Sequence, residues 1–356
     1  MLGAVNVHTW RGSIGRYRHR QAAWSLVVDG RDIGAEVRPR LISLNLTEKR
    51  GTDADELELT LSDHDGQLAI PPKGALITCA LGWRDLGATT PRQLIDKGRF
   101  KVDETGHAGT PDVLTIRARS ADLTRAFRQR QAKSWTDTTL GAVLSDLAGR
   151  NGLQLKCAPD KASIAIPHLA QSLESDAALM ARLGRMHDAA ATVKNGSLIF
   201  MGCGAGVSPG GEDLGVGAIT RTDGDKHNWK EAERGAYSGV IAEWHDRSGA
   251  RRSKVIAGSE ENAKRLSRTY ASEASANRAA EAEFKRLERG AAEFSLTLAA
   301  GRPDLFPEKR VSVSGWKPQI DAPGWLITEA RHSLSGSGFG TSLQMELGGS
   351  GNEPKP

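Results

Sequence analysis

Two stretches of this chain repeat one another in order. Phe294-Ser-Leu296-Thr297-Leu298 alternates apolar and polar residues with period two, the mark of a strand with one buried face. After it come Leu305, Val311-Ser-Val313-Ser-Gly315-Trp316, Trp325-Leu-Ile327-Thr-Glu329 with His332 three residues on, and Leu343-Gln-Met345-Glu-Leu347. Nearer the N-terminus the same order runs through Leu57-Glu-Leu59-Thr60-Leu61, Leu68, Ala80-Leu81-Gly82-Trp83, Phe100-Lys-Val102-Asp-Glu104 with His107, and Leu114-Thr-Ile116-Arg-Ala118. The length differences fall in loops. A repeat fixes architecture before any motif is weighed. This one predicts an α+β, mainly β chain with two similar small antiparallel β-barrels.

The rest of the chain is placed around those copies. Residues 1–20 read as a basic arm and 21–125 as the first barrel, with Asp29-Gly30 a tight hairpin turn. Residues 126–200 read as an inserted α/β domain. There Thr138 or Thr139 caps a helix with Leu140, Val143, Leu144 and Leu147 at helical spacing, and Ser175-Asp176 opens a second. The Asn195-Gly196 turn closes a hairpin. Residues 201–236, rich in Gly, read as a flexible connector, because neither a Gly-Lys-Ser/Thr nor a Gly-x-Gly-x-x-Gly phosphate loop is present. Residues 237–349 read as the second barrel. A helix over 272–289, capped by Ser272, is expected to lay its stripe of Ala276, Ala280, Phe284 and Leu287 on that barrel. Residues 350–356 are a polar tail.

A chain of 356 residues is long enough for two or three cores. It has neither an apolar run of membrane-spanning length nor a signal pattern over Met1–Trp10, so folding in the cytoplasm is expected. Cys79, Cys157 and Cys203 are odd in number and far apart, which favours free thiols over a disulfide frame or zinc. The net charge is +5, with basic clusters at Arg11, Arg16, Arg18 and Arg20 and at Arg117, Arg119, Arg125, Arg128, Arg130 and Lys133. Composition favours solvated faces balanced by acids over a nucleic-acid surface.

No catalytic constellation stands out. The repeated Glu-x-x-His pairs, Glu104/His107 and Glu329/His332, sit on strands, where i and i+3 point to opposite faces and do not chelate. Asp63-His-Asp65-Gly66 resembles the start of a calcium loop, but Gln67 and Gly74 stand where further ligands belong, so a turn is the better account. Glu56, Glu58, Asp63 and Asp65 are ordinary acids of an exposed strand face. His187-Asp188 and His245-Asp246 have no serine elbow near them. No catalytic, cofactor-binding or metal-binding residue is therefore assigned, and no enzyme activity is expected.

Several stretches carry a family likeness: Asp55-Glu-Leu-Glu-Leu-Thr-Leu-Ser-Asp-His-Asp65-Gly66, Gly98-Arg-Phe-Lys-Val-Asp-Glu104, Thr115-Ile-Arg-Ala-Arg-Ser-Ala-Asp122, Tyr237-Ser-Gly-Val240 and Phe294-Ser-Leu-Thr-Leu-Ala-Ala-Gly-Arg-Pro-Asp304-Leu. With them, and from about Trp24 to Leu347, the chain resembles the late control gene D family, the baseplate hub of contractile phage tails. Gln171-Ser-x-Glu174-Ser-Asp176 fits the pattern too, although Ala170 stands where the family has Asp. The resemblance implies a structural protein of the virion, with two tube-like barrels per chain, that assembles in the host cytoplasm as a homotrimeric ring. It further implies, as partners, the tail spike, the tail tube, the tape-measure protein and other baseplate proteins, with DNA only as cargo through the lumen and no membrane. A type VI secretion or bacteriocin-like spike component is the alternative reading, and a nucleic-acid-binding protein a lesser one.

Overall fold

The computed structural model describes residues 20–85, 93–120, 125–231, 237–246 and 249–348. The basic arm up to Arg20 and the polar tail thus lie outside the described residues, Arg20 itself excepted. Alternating residues become strand throughout the N-terminal copy: β1 (Arg20–Val28), β2 (Arg31–Asp32), β3 (Leu41–Lys49), β4 (Glu56–Ser62), β5 (Leu76–Asp85), β6 (Gln93–Ala108) and β7 (Val113–Ser120). Leu26, Leu44, Leu46, Leu57, Leu59, Ile77, Leu81 and Phe100 close round one core, so these strands wrap a common interior. β1 and β2 meet across Asp29 and Gly30, both at positive φ, which matches a primed hairpin turn.

The insertion follows with β8 (Arg130–Thr139), β9 (Gln154–Cys157), β10 (Ala165–Ser175), β11 (Ala189–Lys194) and β12 (Ser197–Gly202). Its helices Leu140–Arg150 and Asp176–Met186 start where the sequence places their caps. Thr139 accepts from the Ala142 amide at 3.3 Å and Ser175 from the Ala178 amide at 3.2 Å. Leu144, Leu147, Leu179, Leu183, Leu198 and Phe200 form a core separate from those of the barrels.

The stretch read as a connector is in part sheet. β13 (Val216–Thr220) and β14 (Gly224–Glu231) belong to the C-terminal copy, β13 beside β19 and β14 beside β18. Composition hid them. β13 packs through Gly217, where a Cβ would come within 2.9 Å of Leu305, and β14 carries Trp229 as its one large apolar residue. Next come β15 (Gly239–Asp246), β16 (Arg251–Gly258) and β17 (Ala263–Tyr270), then β18 (Ala292–Leu298), β19 (Arg310–Ser314), β20 (Trp325–Ser335) and β21 (Gly338–Leu347).

A second expectation is corrected: β15–β17, inside the 237–349 stretch read as the second barrel, form a separate three-stranded sheet, and the helix Glu273–Arg289 lies on that sheet. Ala276 and Ala280, with Phe284 and Leu287, pack on Val240, Ala242 and Val255 of the three-stranded sheet β16-β15-β17. That sheet is open and amphipathic and needs a cover, and the nearest apolar stripe in the chain supplies it. The helix end reaches the barrel, where Arg289 meets Glu346 of β21 at 3.1 Å.

The duplication is explicit in the topology. Strand order in the first copy is β3-β4-β7-β6-β5-β1, and in the second β14-β18-β21-β20-β19-β13. Irregularities repeat as well. β3 is bulged between Leu41 and Ser43 and β14 between Gly224 and Lys226; β6 is bulged between Val102 and Glu104 and β20 between Ile327 and Glu329. Glu104 and Glu329 follow their bulges directly, so His107 and His332 are equivalent. The copies differ at one edge, where β1 runs antiparallel to β5 but β13 runs parallel to β19. The last matched segment is also shifted. Ile116, facing Thr105, corresponds to Leu343, facing Ala330, not to Met345. A two-residue slip keeps every side chain on its own face and leaves no trace in a hydrophobic pattern.

Ala280 is 1% exposed under the helix. Ala280→Asp should destabilise the helix and β15–β17 by about 3 kcal/mol, as a charge in a small core does. Hydrogen exchange should report faster amides in residues 239–289 and unchanged protection in β3–β7. Equal loss in both regions would contradict this division.

Candidate functional site

β20 is where the copies meet. One edge of it pairs with β21. The other is shared end to end, with Arg310 and Val311 of β19 opposite Leu326 and Trp325, and Lys49 through Ser43 of β3 opposite Glu329 through Ser335. The second contact fuses two barrels into a single 13-stranded sheet.

Under this seam lies a charge cluster. Leu44, Leu46 and Glu48 share one face of β3, so the alternation that buries two leucines also buries a carboxylate. Lys97 of β6 reaches Glu48 at 2.6 Å, His332 Nε2 lies 3.2 Å from it and Lys194 3.8 Å. Burial alone would push the Glu48 carboxyl up, but Lys97, His332 and Lys194 outweigh it and hold it at about 2. Burial holds the His332 imidazole below its ordinary value although Glu48 pulls the other way. The ring is therefore neutral: Nε2–H donates to Glu48, and Nδ1 accepts from the Thr341 hydroxyl at 2.9 Å. That leaves the Thr341 oxygen to accept the Arg302 amide at 2.9 Å. Lys194, from the inserted domain, also pairs with Asp55 at 2.9 Å, so three parts of the chain converge here.

Further links fix the angle of the seam. Trp83 Nε1 donates to the Gly301 carbonyl at 2.8 Å, and its ring lies 5.3 Å from Phe339. Gly301 has no room for a side chain, because a Cβ would meet the Phe339 ring at 2.6 Å. Arg50 pairs with Glu308 and, at 2.6 Å, with Glu346. Glu308 in turn accepts the Gly204 amide at 2.8 Å.

The residues singled out in the sequence fall into place separately. Glu104 pairs with Arg117 at 3.2 Å, while His107 faces Asp63 at 3.2 Å, so the first Glu-x-x-His divides its contacts as strand geometry requires. His332 is fully buried and Glu329 half-buried. Asp63 accepts the Leu68 amide at 3.0 Å and Asp65 pairs with Arg40, which makes 63–66 a turn. Asp188 pairs with Arg289, and burial lowers its neighbour His187 to about 4, with Arg278 and Lys161 acting in the same direction. Arg117 also bonds Glu58 at 2.8 Å, Arg119 meets Asp103 at 3.1 Å and Lys133 meets Asp146 at 2.7 Å, so much of the second basic cluster is balanced by acids. Burial pushes Cys79 up to about 12, Cys157 to about 11 and Cys203 to about 12, and all three are free. Among the described residues no group of three or more His, Cys, Asp or Glu could hold a metal ion, and no helix is long and apolar enough to cross a membrane. Sequence reasoning missed the Glu48 cluster. Its one visible signal was a carboxylate on the apolar parity of β3.

Lowering the pH tests the seam. A carboxylate whose folded pKa lies below its unfolded one contributes stability that is complete above pH 4.5, its ordinary value, and is lost as pH falls toward 2. His332, held low, adds a loss below pH 6.5, because the unfolded chain takes up a proton that the fold refuses. Asp55, held high chiefly by burial, acts in the opposite direction. Denaturation midpoints should fall between pH 4.5 and 2. Glu48→Gln should cost roughly 3 kcal/mol at pH 7 and flatten that fall. A variant with the wild-type pH profile would show that Glu48 does not govern it.

Comparison with known proteins places this fold. Residues 56–338 match the family model described as phage tail baseplate hub (GPD). The chain is 40% identical to the "Probable baseplate hub protein" of Escherichia phage P2, over 91% of this chain and 92% of that protein. It is 39% identical to the protein of the same name in Escherichia phage 186, with the same coverage. Among solved structures it is similar to the 43 kDa tail protein of prophage MuSo2 from Shewanella oneidensis (TM-score 0.64, 15% identity, 90% of this chain and 97% of that one). It is also similar to a tail protein from Neisseria meningitidis MC58 (TM-score 0.67, 14% identity, 92% and 96%). A component of the type VI secretion system of E. coli shares the fold at TM-score 0.54 and 15% identity, over 89% of this chain and 76% of that one.

Proposed function

This chain belongs to the phage tail baseplate hub (GPD) family, and from that premise we propose that it works as a homotrimeric ring joining a sixfold tail tube to a threefold spike. It is a structural component of the virion tail. The observation that carries the ring reading is the duplicated strand order with its matched bulges. Three subunits with two like modules each present six near-equivalent positions on one side, while every feature outside the repeat, such as the insertion and the β15–β17 unit, occurs three times. One chain can therefore meet a sixfold partner and a threefold partner at once.

In this reading the tube docks on the repeated modules, and the spike docks on parts present once per subunit. The polar face of the sheet lines the passage for the tape-measure protein and then DNA. There Arg117 is already held by Glu58 and Glu104. Paired charges of this kind offer a polyanion few free cations, which suits passage better than capture. Other baseplate proteins would attach outside the ring, and assembly takes place in the host cytoplasm before the tail is complete.

Light scattering on the full chain, alone and with the spike protein of the same tail, tests the stoichiometry. The expected mass is three times the 38.1 kDa subunit, with one ring per spike. A stable particle of one, two or four subunits under both conditions would contradict the ring.

A further inference from the structure

Within one chain the two copies are joined at a defined place, with β3 of the first copy against the second half of β20. The same two elements exist again with nothing beside them. β14, the counterpart of β3, ends the sheet. β6, the counterpart of β20, pairs with β7 on one edge and with β5 on the other only as far as Lys101. Gly74 and Ala75 cover Val102, and from Asp103 to Ala108 no described strand lies on that edge.

Resting on the ring reading above, we propose that neighbouring subunits join by pairing β6 of one with β14 of the next, in the register that β20 and β3 use inside the chain. Bulges and partners fix that register. His107 corresponds to His332 through β7 and β21, and Trp229 to Leu46 through β18 and β4. Since His332 lies opposite Leu46 and Ala330 opposite Glu48, His107 lies opposite the neighbouring subunit's Trp229 and Thr105 opposite the neighbouring subunit's Glu231. Ala108 then faces the neighbouring subunit's Asn228, as Ser333 faces Asn45.

The side chains agree with this placement. In the chain, His332 donates to Glu48 one pair along the same face. Across subunits His107 stands in the same relation to Glu231, so the repeated histidine meets a repeated glutamate. Both are exposed in the single chain, where a row of open N–H and C=O groups is a template for strand addition. This also gives the Glu-x-x-His repeat a reason. Its histidine marks a seam, buried where the seam is internal and exposed where it awaits a second copy.

Crosslinking decides the register. Directly opposed residues of an antiparallel pair come within disulfide reach. Ala108→Cys with Asn228→Cys, in a full chain carrying Cys157→Ser and Cys203→Ser, should give covalent dimers and trimers on oxidation that reducing agent reverses. Neither single variant should do so. Light scattering on the same sample separates the two readings: a trimer that does not crosslink overturns the register, and a chain that never trimerises overturns the ring as well. If circular dichroism shows that the cysteine variants misfold, hydrogen exchange on the wild-type chain decides. Residues 105–108 and 228–231 should gain protection as trimer forms, and unchanged exchange there would overturn the proposal.

Discussion

The structure depends on β20 having two neighbours on a single edge. Because β3 continues where β19 stops, two barrel cores are fused along a strand and do not hang on a linker. The Glu48 carboxylate beneath the seam is costly to bury, and its lysine and histidine partners offset that cost without making the site a stronger core than leucines would. What a buried, fully partnered charge adds is definition. Glu48 meets Lys97, Lys194 and His332 together only when the first barrel, the insertion and the second barrel hold one relative placement. The adaptor proposed above would need that fixed angle more than extra stability.

Much of this was legible in the sequence, for identifiable reasons. Leu57-Leu59-Leu61 and Phe294-Leu296-Leu298 announce equivalent strands because their inner faces are large and apolar. The caps at Thr139, Ser175 and Ser272 were visible because a hydroxyl before a helical stripe has few other uses. β13 and β14 were not visible, since small and polar residues fill them and their burial comes from neighbours far along the chain. The helix over 273–289 was legible from its cap and stripe, but the separation of β15–β17 from the barrel was not, because short alternating strands do not say which of two adjacent sheets they join. Glu48 looked like one more charge at a strand end. The fusion of the barrels is a register between distant strands, and single-sequence patterns carry no such information.

The histidines show how one motif can serve two settings. Strand alternation ruled out a chelate at Glu104/His107 and Glu329/His332, yet the repetition still called for an explanation. His332 provides it: neutral, buried and donating across the seam, it belongs to the joint between modules and not to chemistry. The contacts of the N-terminal copy, with His107 beside Asp63, are those of the same element at an open edge.

In the proposed ring, duplication would let a threefold assembly meet sixfold and threefold partners, and this is the central physical claim. Electron cryomicroscopy of the assembled hub measures it most directly. The account predicts six tube-like modules round one lumen, with the rotation between the two modules of a subunit matching that between modules of neighbouring subunits, about 60° in each case. Two unequal rotations, or copies facing away from a common axis, would contradict it.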